Sequence, residues 1–492
     1  MTKVKSEKIS RIKTGYEVPE GWVRELNFFD ISGIRSKTIG SSSKMYHIEL
    51  NVSSSGDVQI YTEYGPTGTT NPTKEWRYFE KDRTAAESEF LKIVKSKIKK
   101  GYKEIDVAQR SLGSTEAKKQ TKAVILKNAE VIKDIPKSSL HPETQRLISG
   151  LMGATNQFVI KTLKCPIGQL TNNQIDKGRA ILNEAKSIIA KKNLAKEDNE
   201  KIVLLTDDFY SLIPHNHGSG ARGQMLHLLL DSQEKIIQKE YDLDTLLDAK
   251  DLDIDILNTG IDDQYRSLDT EFSFINKDDD VFIWLDKLIQ ETRAHNHKYL
   301  GRISLLNAWS IQRKGERDKF NALADKIATE CGKQVYPDKM ERLVKNRPDG
   351  NSDLFKKANV IPLFHGTRTE NLTGILKKGL LIRPSGAIIT GSMYGSGIYK
   401  SSNSTKSINY TSINSSYWAK GSDTKAYLFV SDCALGNTHV VSRSGNYTLN
   451  SIKPNHSVWA QGGKSGVIND EMILYKTDQH NMRYLLEFTC NK

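Results

Sequence analysis

A histidine, a serine and two tyrosines set among glycine-rich turns mark residues 362–410, which read PLFHGTRTENLTGILKKGLLIRPSGAIITGSMYGSGIYKSSNSTKSINY. The apolar run at 360–364 stops at His365-Gly366, the pattern of a strand that delivers a histidine into a cleft. Tyr399 and Tyr410 offer stacking faces, and the Ser407 hydroxyl and nearby backbone offer hydrogen bonds to a buried amide. Together these groups suit a flat, amide-bearing heterocycle.

Short elements must hold these side chains. Thr369 is expected to cap a helix whose Leu372, Ile375 and Leu376 face inward, with Gly379 ending it. Ser404 is expected to cap the short helix that carries Ser407 and Tyr410 on neighbouring turns.

The joint pattern HGT…GILKKGL…TGSMYGSGIY…TKSINY resembles the nicotinamide-pocket signature of the poly(ADP-ribose) polymerases. That family has a catalytic glutamate on a later strand, and NDEMILY at 469–475 resembles that strand and places Glu471 in the position. The resemblance implies that NAD is the co-substrate and that no metal takes part. It further implies that Gly366 offers backbone hydrogen bonds to the carboxamide, Ser407 adds its hydroxyl, and Tyr399 and Tyr410 flank the ring. His365 would bind the adenosine ribose, with Thr367 and Gly374 as further donor contacts and Met393 on the acceptor side. Glu471 would bind a hydroxyl of the nicotinamide ribose, stabilise the developing oxocarbenium charge and orient or deprotonate the acceptor. His365, Tyr399 and Glu471 thus form the expected catalytic set. Two departures stand out: Leu381 occupies the place of a family arginine, with Arg383 two residues on, and the loop from Ser457 to Glu471 is short for the chromatin-associated members.

Composition bounds the rest. The chain has 492 residues, room for two to four domains, and a formal charge of +13 that favours polyanionic partners. Cys165, Cys331, Cys433 and Cys490 lie far apart with no C-x-x-C pair, against a zinc finger or a disulfide framework. The basic N-terminal segment lacks the apolar core of a secretory signal, and no apolar run approaches a membrane span. A soluble, intracellular protein is expected.

Residues 1–20 read as a basic flexible tail. Alternation at Tyr46, Ile48, Leu50 and Val52, a turn, then Val58 and Ile60 give a hairpin. Thr84 with Glu87 reads as a capping box for a helix that buries Phe90, Ile93, Val94 and Ile98 and is closed by Gly101. Its other face carries Lys92, Lys95, Lys99 and Lys100. Strands, YGPTG at 64–68, then a helix ending KKGYKE resemble the WGR domain, a DNA-end-binding module, with Tyr64 and Pro66 where that family has tryptophan and arginine. Tyr64 and the four lysines are the DNA contacts this implies.

After a linker at 109–136, helical periodicity runs through 137–250. Thr171 starts one helix there, and CPIGQLTNNQI…AILNEA and FYSLIPHNHG resemble the family's regulatory bundle, with His215 and His217 in a turn rather than a metal site. An acidic junction follows at 251–262. Strands are expected at 268–275, 300–311, 360–364, 426–435, 471–475 and 484–488, with helices capped near Asp278 and around 320–327. The stretch 324–359 reads as a surface insertion.

The expected fold is multidomain α+β: a small sheet-plus-helix WGR-like domain at 21–108, an all-α regulatory bundle at 137–250 and a mixed α/β ADP-ribosyltransferase domain at 262–492. The resemblance implies a monomeric poly-ADP-ribosyltransferase activated by DNA breaks without regard to sequence. It would modify acceptor proteins including itself, act in the DNA damage response and work in the nucleus, or in the cytoplasm if the source is not eukaryotic; no membrane association is expected. The alternatives are a mono-ADP-ribosyltransferase, against which the intact His365, Tyr399 and Glu471 argue, and a catalytically weak DNA-end scaffold.

Overall fold

The computed structural model describes residues 5–7, 22–32, 44–66, 73–100, 102, 138–163, 170–191, 193–213, 215, 228–251, 259–382 and 393–491. The linker at 109–136, Cys165, His217, Gly101, Arg383 and most of the N-terminal tail lie outside these residues. Packing divides the chain into two units: 1–136 with 157–250, and 137–156 with 251–492.

In the first unit, strands β1 (Lys5–Glu7), β2 (Trp22–Ser32), β3 (Lys44–Ser53), β4 (Val58–Pro66) and β5 (Thr73–Tyr78) form an antiparallel sheet in the order β1-β5-β4-β3-β2. Part of the expected tail is therefore strand, because Lys5–Glu7 pairs its backbone with the edge of β5. Helix α1 (Arg83–Lys99) lays Ala86, Phe90 and Ile93 on Tyr46, Ile48, Leu50, Val58 and Ile60. Its cap is Asp82, whose side chain accepts from Ala85 N at 2.9 Å, rather than Thr84. An ionised carboxylate there satisfies an orphan N–H and complements the helix dipole. Ile98, expected in the core, is exposed.

Helices α2 (Pro142–Thr162), α3 (Asn172–Ile189), α4 (Lys196–Leu212) and α5 (Gln233–Asp251) follow. Thr171 and Gln174 form the reciprocal capping box of α3, which buries Ile175, Leu182, Ala185 and Ile188. Gly178 lets α3 close on its neighbours, since a Cβ there would meet Ile213 at 3.3 Å and Leu243 at 3.4 Å. His215 is buried, with Nδ1 2.7 Å from the Ile213 carbonyl, and no cluster of potential metal ligands occurs among the described residues.

The second unit continues with α6 (Ile261–Ser267), β6 (Thr270–Ile275), α7 (Asp280–Glu291), β7 (Arg302–Arg313), α8 (Glu316–Cys331), α9 (Met340–Lys345), α10 (Asp353–Lys357) and β8 (Val360–Gly366). Then come α11 (Leu372–Lys378), β9 (Ile398–Lys400), α12 (Ser404–Ile408), β10 (Ala426–Ala434), β11 (Thr438–Val441), β12 (Ser457–Ala460), β13 (Glu471–Leu474) and β14 (His480–Asn491). One sheet runs β6-β7-β14-β10-β8 and the other β11-β12-β13-β9. The two meet where Phe364 and Ser401 exchange backbone hydrogen bonds of 2.9 and 3.1 Å.

The stretch 324–359 is not a surface insertion. Met340, Leu343 and Val344 of α9 are buried in the main core, and the Trp284 indole donates to the Leu343 carbonyl at 2.8 Å. Arg347, also buried, holds Asp432 and Asp349 through bonds of 2.7–2.8 Å, so this segment closes one end of the sheet.

The part of α2 before residue 157 packs within this unit. Leu147, Ile148, Leu151 and Met152 join Trp309, Ile311, Phe429 and Leu485 in one apolar cluster. Arg146 forks onto the buried Glu487 carboxylate at 3.1 and 2.7 Å, a bidentate geometry that fixes the helix in register.

Candidate active site

Strand β8 is buried along its apolar residues and emerges at His365 and Gly366. It pairs with β10, Phe429 facing His365 and Leu428 facing Gly366. From the second sheet, β9 presents Tyr399, paired with Ile473 of β13. The junction at Phe364–Ser401 brings these strand ends together, with His365 Nδ1 3.1 Å from the Tyr399 carbonyl. A carbonyl only accepts, so Nδ1 carries the proton and Nε2 keeps its lone pair. Burial, with the buried Lys400 ammonium nearby, holds the imidazole pKa down at about 3. His365 is thus a neutral acceptor for a hydroxyl at physiological pH.

Gly366 is required sterically. A Cβ there would lie 1.8 Å from the Ser407 carbonyl oxygen, so only glycine lets β8 and α12 approach this closely. Ser407 is buried on α12, and its carbonyl accepts the Tyr410 N–H at 3.1 Å, which fixes the tyrosine just past the helix. Ser404 does not cap α12. Its hydroxyl donates instead to the Ile289 carbonyl at 2.7 Å, tying the helix to α7, while Asn403 stands at the cap position. Thr369 likewise lies in a short 3-10 turn before α11 rather than at its cap, although Leu372 and Leu376 are buried and Gly379 ends the helix as expected.

The Tyr399 hydroxyl accepts from Tyr394 N and donates to the Gly395 carbonyl, both at 2.9 Å, and so locks the turn before β9. That turn exposes Met393, whose Cε is 3.6 Å from where a Cβ on Gly466 would lie. Thr367 accepts from Asn371 at 3.1 Å, and Gly374 is buried in α11. Leu381 is exposed.

Glu471 opens β13, and its carboxylate is 2.9 Å from the Lys406 amine, with both side chains about one-tenth exposed. Lys406 also donates to the Asn469 carbonyl at 2.7 Å. Burial lowers the Lys406 pKa while Glu471 pulls it back up. The sequence pattern gives Lys406 no role of its own, although it stands beside Ser407 inside the motif itself. Its pairing joins α12, which carries Ser407, to the strand that carries the Glu471 carboxylate.

On α1, Lys92, Lys95, Lys99 and Lys100 are all exposed, Lys92 lying 3.4 Å from Glu89. Tyr64 is half-buried. Its ring lies 5.5 Å from that of Tyr46 at 17°, and its hydroxyl donates to Glu75 at 3.0 Å. A further lysine, Lys97, sits 3.5 Å over the Tyr46 ring.

The Gly366–Ser407 contact, neutral His365 against Tyr399 and the Lys406–Glu471 pair thus lie on adjoining elements. The poly(ADP-ribose) polymerase catalytic domain matches residues 282–467, stopping short of Glu471; the poly(ADP-ribose) polymerase regulatory domain matches 138–272, and the WGR domain 24–109. Poly [ADP-ribose] polymerase 1 of Gallus gallus is 27% identical over 379 residues, 70% of this chain and 33% of that protein. Poly [ADP-ribose] polymerase 2-B of Oryza sativa subsp. japonica is 23% identical over 519 residues, 98% of this chain and 74% of the relative. The chain thus spans about a third of the length of the animal relatives it matches, the Xenopus laevis protein, at 35%, included. It belongs to the poly(ADP-ribose) polymerase family.

Proposed function

We propose that this chain is an NAD-dependent poly-ADP-ribosyltransferase that moves ADP-ribose from NAD to protein acceptors and growing chains, releasing nicotinamide, in response to DNA breaks. The observation that supports the reading is the Lys406–Glu471 pair, which ties the carboxylate of β13 to the helix whose Ser407 packs against Gly366.

The bond to be broken is the glycosidic bond between nicotinamide and ribose. Its transition state carries oxocarbenium character, and the leaving group departs as a neutral ring, so no strong general acid is needed. Gly366 backbone and Ser407 hydroxyl hold the carboxamide, Tyr399 and Tyr410 flank the ring, and His365 Nε2 accepts from the adenosine ribose. Gripping both ends of NAD converts binding energy into orientation of the scissile bond. Glu471 binds a ribose hydroxyl, stabilises the positive charge that develops and takes the acceptor proton. Lys406 keeps this carboxylate in place. Met393, exposed in the turn before β9, contacts the acceptor chain.

The WGR match and the lysine face of α1 support DNA as the activator. Phosphate contacts of this kind carry no sequence information. A nuclear role in DNA repair follows from the family. The test is turnover of labelled NAD with a nicked duplex, with an intact closed circle and without DNA, at equal salt, resolved on a gel. Polymer made with the nicked duplex is the expected result. Absence of any NAD consumption would overturn the assignment, and equal rates on the two DNAs would remove break sensing from it.

A further inference from the structure

Two residues before Glu471, Asn469 is gripped at both of its amide groups. Its backbone carbonyl accepts from the Lys406 amine at 2.7 Å, and its side-chain nitrogen lies 3.4 Å from Nε2 of His297, a long contact. His297 belongs to the 3-10 turn His295–Leu300, 172 residues earlier in the chain. The residue between, Asp470, is fixed by other partners. Its carboxylate accepts from the Trp459 indole at 2.9 Å and the Gly462 N–H at 2.7 Å, and its carbonyl accepts from the Ser401 hydroxyl at 2.9 Å.

The second ring nitrogen of His297 defines its state. Nδ1 lies 3.1 Å from Thr405 Oγ1, which also accepts from the Ala294 N–H at 2.9 Å. An amide nitrogen only donates, so Nε2 keeps its lone pair for Asn469 and Nδ1 carries the proton toward Thr405. Burial, and after it the Lys406 ammonium, lower the imidazole pKa, which keeps the ring neutral and the acceptor available.

Thr405 and Lys406 are neighbours on α12, so a closed circuit runs Thr405–His297–Asn469–Lys406. Glu471 is held by its last member at 2.9 Å. A lysine is a flexible stem ending in a point charge, so alone it fixes a distance but not a direction. A circuit that also holds the Asn469 side chain constrains the start of β13 itself.

We propose that His297 is a positioning residue for ADP-ribosyl transfer, which by holding the Asn469 side chain aims the Glu471 carboxylate. This rests on the functional reading above and adds to it a residue that acts through Asn469 and Lys406 rather than on the substrate. An aim that matters when charge develops on the ribose affects turnover and leaves NAD affinity alone.

The test uses the full chain with nicked DNA and compares steady-state NAD turnover in His297→Ala, Asn469→Ala, the double variant and His297→Gln. Asn469→Ala keeps the backbone carbonyl that Lys406 uses, so it removes the His297 contact by itself. Each single alanine variant is expected to lower kcat about three- to tenfold, the scale of one hydrogen bond, with KM for NAD within about twofold. The double variant is expected to be no slower than the slower single one, since both remove the same contact. His297→Gln, which keeps an acceptor for Asn469, is expected to return kcat to within about twofold of the wild type. Should His297→Ala fail to melt cooperatively, Asn469→Ala and His297→Gln read the same contact from its two ends. Wild-type kcat in both alanine variants, losses that multiply in the double variant, a raised KM with unchanged kcat, or a glutamine variant as slow as the alanine one would each overturn the proposal while leaving NAD turnover as proposed. A wild type that does not turn over NAD would overturn the functional reading, and this inference with it.

Discussion

The proposed nicotinamide site and the lysine face of α1 both depend on polar and charged groups, yet the two regions hold those groups in opposite ways. In the first, His365, Lys406 and Glu471 are mostly buried and tied to neighbouring elements by a hydrogen bond or an ion pair, and Ser407 is buried with its carbonyl against Gly366. On α1 and at its C-cap, Lys92, Lys95, Lys99 and Lys100 stand in solvent, and among the described residues the one ion-pair approach they make is Lys92 to Glu89 at 3.4 Å. A buried constellation acts through position, so one lost atom is costly. A solvated cationic face acts through summed charge, screened by salt and tolerant of single changes. Mutations should therefore have steep effects in one region and shallow effects in the other.

The steepest effect is expected at Glu471. Glu471→Gln keeps shape but removes charge and base, and should lower chain elongation about 10²–10⁴-fold, the span typical of a general base, with NAD binding retained. Polymer of wild-type length from this variant, measured on a sequencing gel, would break the comparison at its centre. Gly366→Ala comes next, because the added methyl would sit 1.8 Å from the Ser407 carbonyl oxygen. The strand and α12 must separate to admit it, so NAD binding by calorimetry should be lost while the protein still melts cooperatively.

Lys400 sharpens the comparison from the side of stability. It is fully buried near His365, Cys433, Glu316 and His480, and its amine donates to Ser431 at 2.9 Å. Burial brings its pKa down to about 8 from 10.5. The unfolded chain therefore binds more protons than the folded one between those two values, and stability rises with pH across that window. Lys400→Met should abolish this alkaline gain and raise Tm at pH 7 by on the order of 5 °C, measured by thermal melts across the range.

The shallowest effects belong to α1. Each of Lys92, Lys95, Lys99 and Lys100 changed to Gln should reduce the slope of log affinity against log salt by about 0.9 if it contacts a phosphate, with kcat at saturating DNA unchanged. A single substitution that abolished activation would show that this face works by position after all.

Much of this architecture is legible in the sequence because it rests on local periodicity. The strand ending at His365, the stripe of α3 and its Thr171–Gln174 cap all follow from patterns a few residues long. What escapes the sequence depends on partners far along the chain. Ser404 looks like a cap, but its hydroxyl is claimed by Ile289, and Asp82 outcompetes Thr84 as a charged acceptor at the start of α1. The six residues of α9 are too few to show a period, so its burial under Trp284 could not be read from spacing. Glu471 carries no local signal at all and is legible only through the family motif. Trp418 lies outside that motif, and its ring comes within 6.4 Å of that of Tyr410 only because its N–H returns to the Asn409 carbonyl.

Arg146 and Glu487 meet across 341 residues of sequence. Strand β14, which carries Glu487, lies at the middle of its sheet but follows all the other strands of that sheet in the chain. The catalytic core therefore has no sequential half that can close by itself: α2, β7 and β10 must wait for β14 before their apolar faces and the Arg146 fork find partners. Contacts this distant in sequence are late and slow to form. Until β14 arrives, the facing edges of β7 and β10 are open to other strands. Refolding should accordingly be most prone to aggregation in this unit, and a ribosome-bound chain ending before residue 480 should depend on chaperones to keep those edges covered.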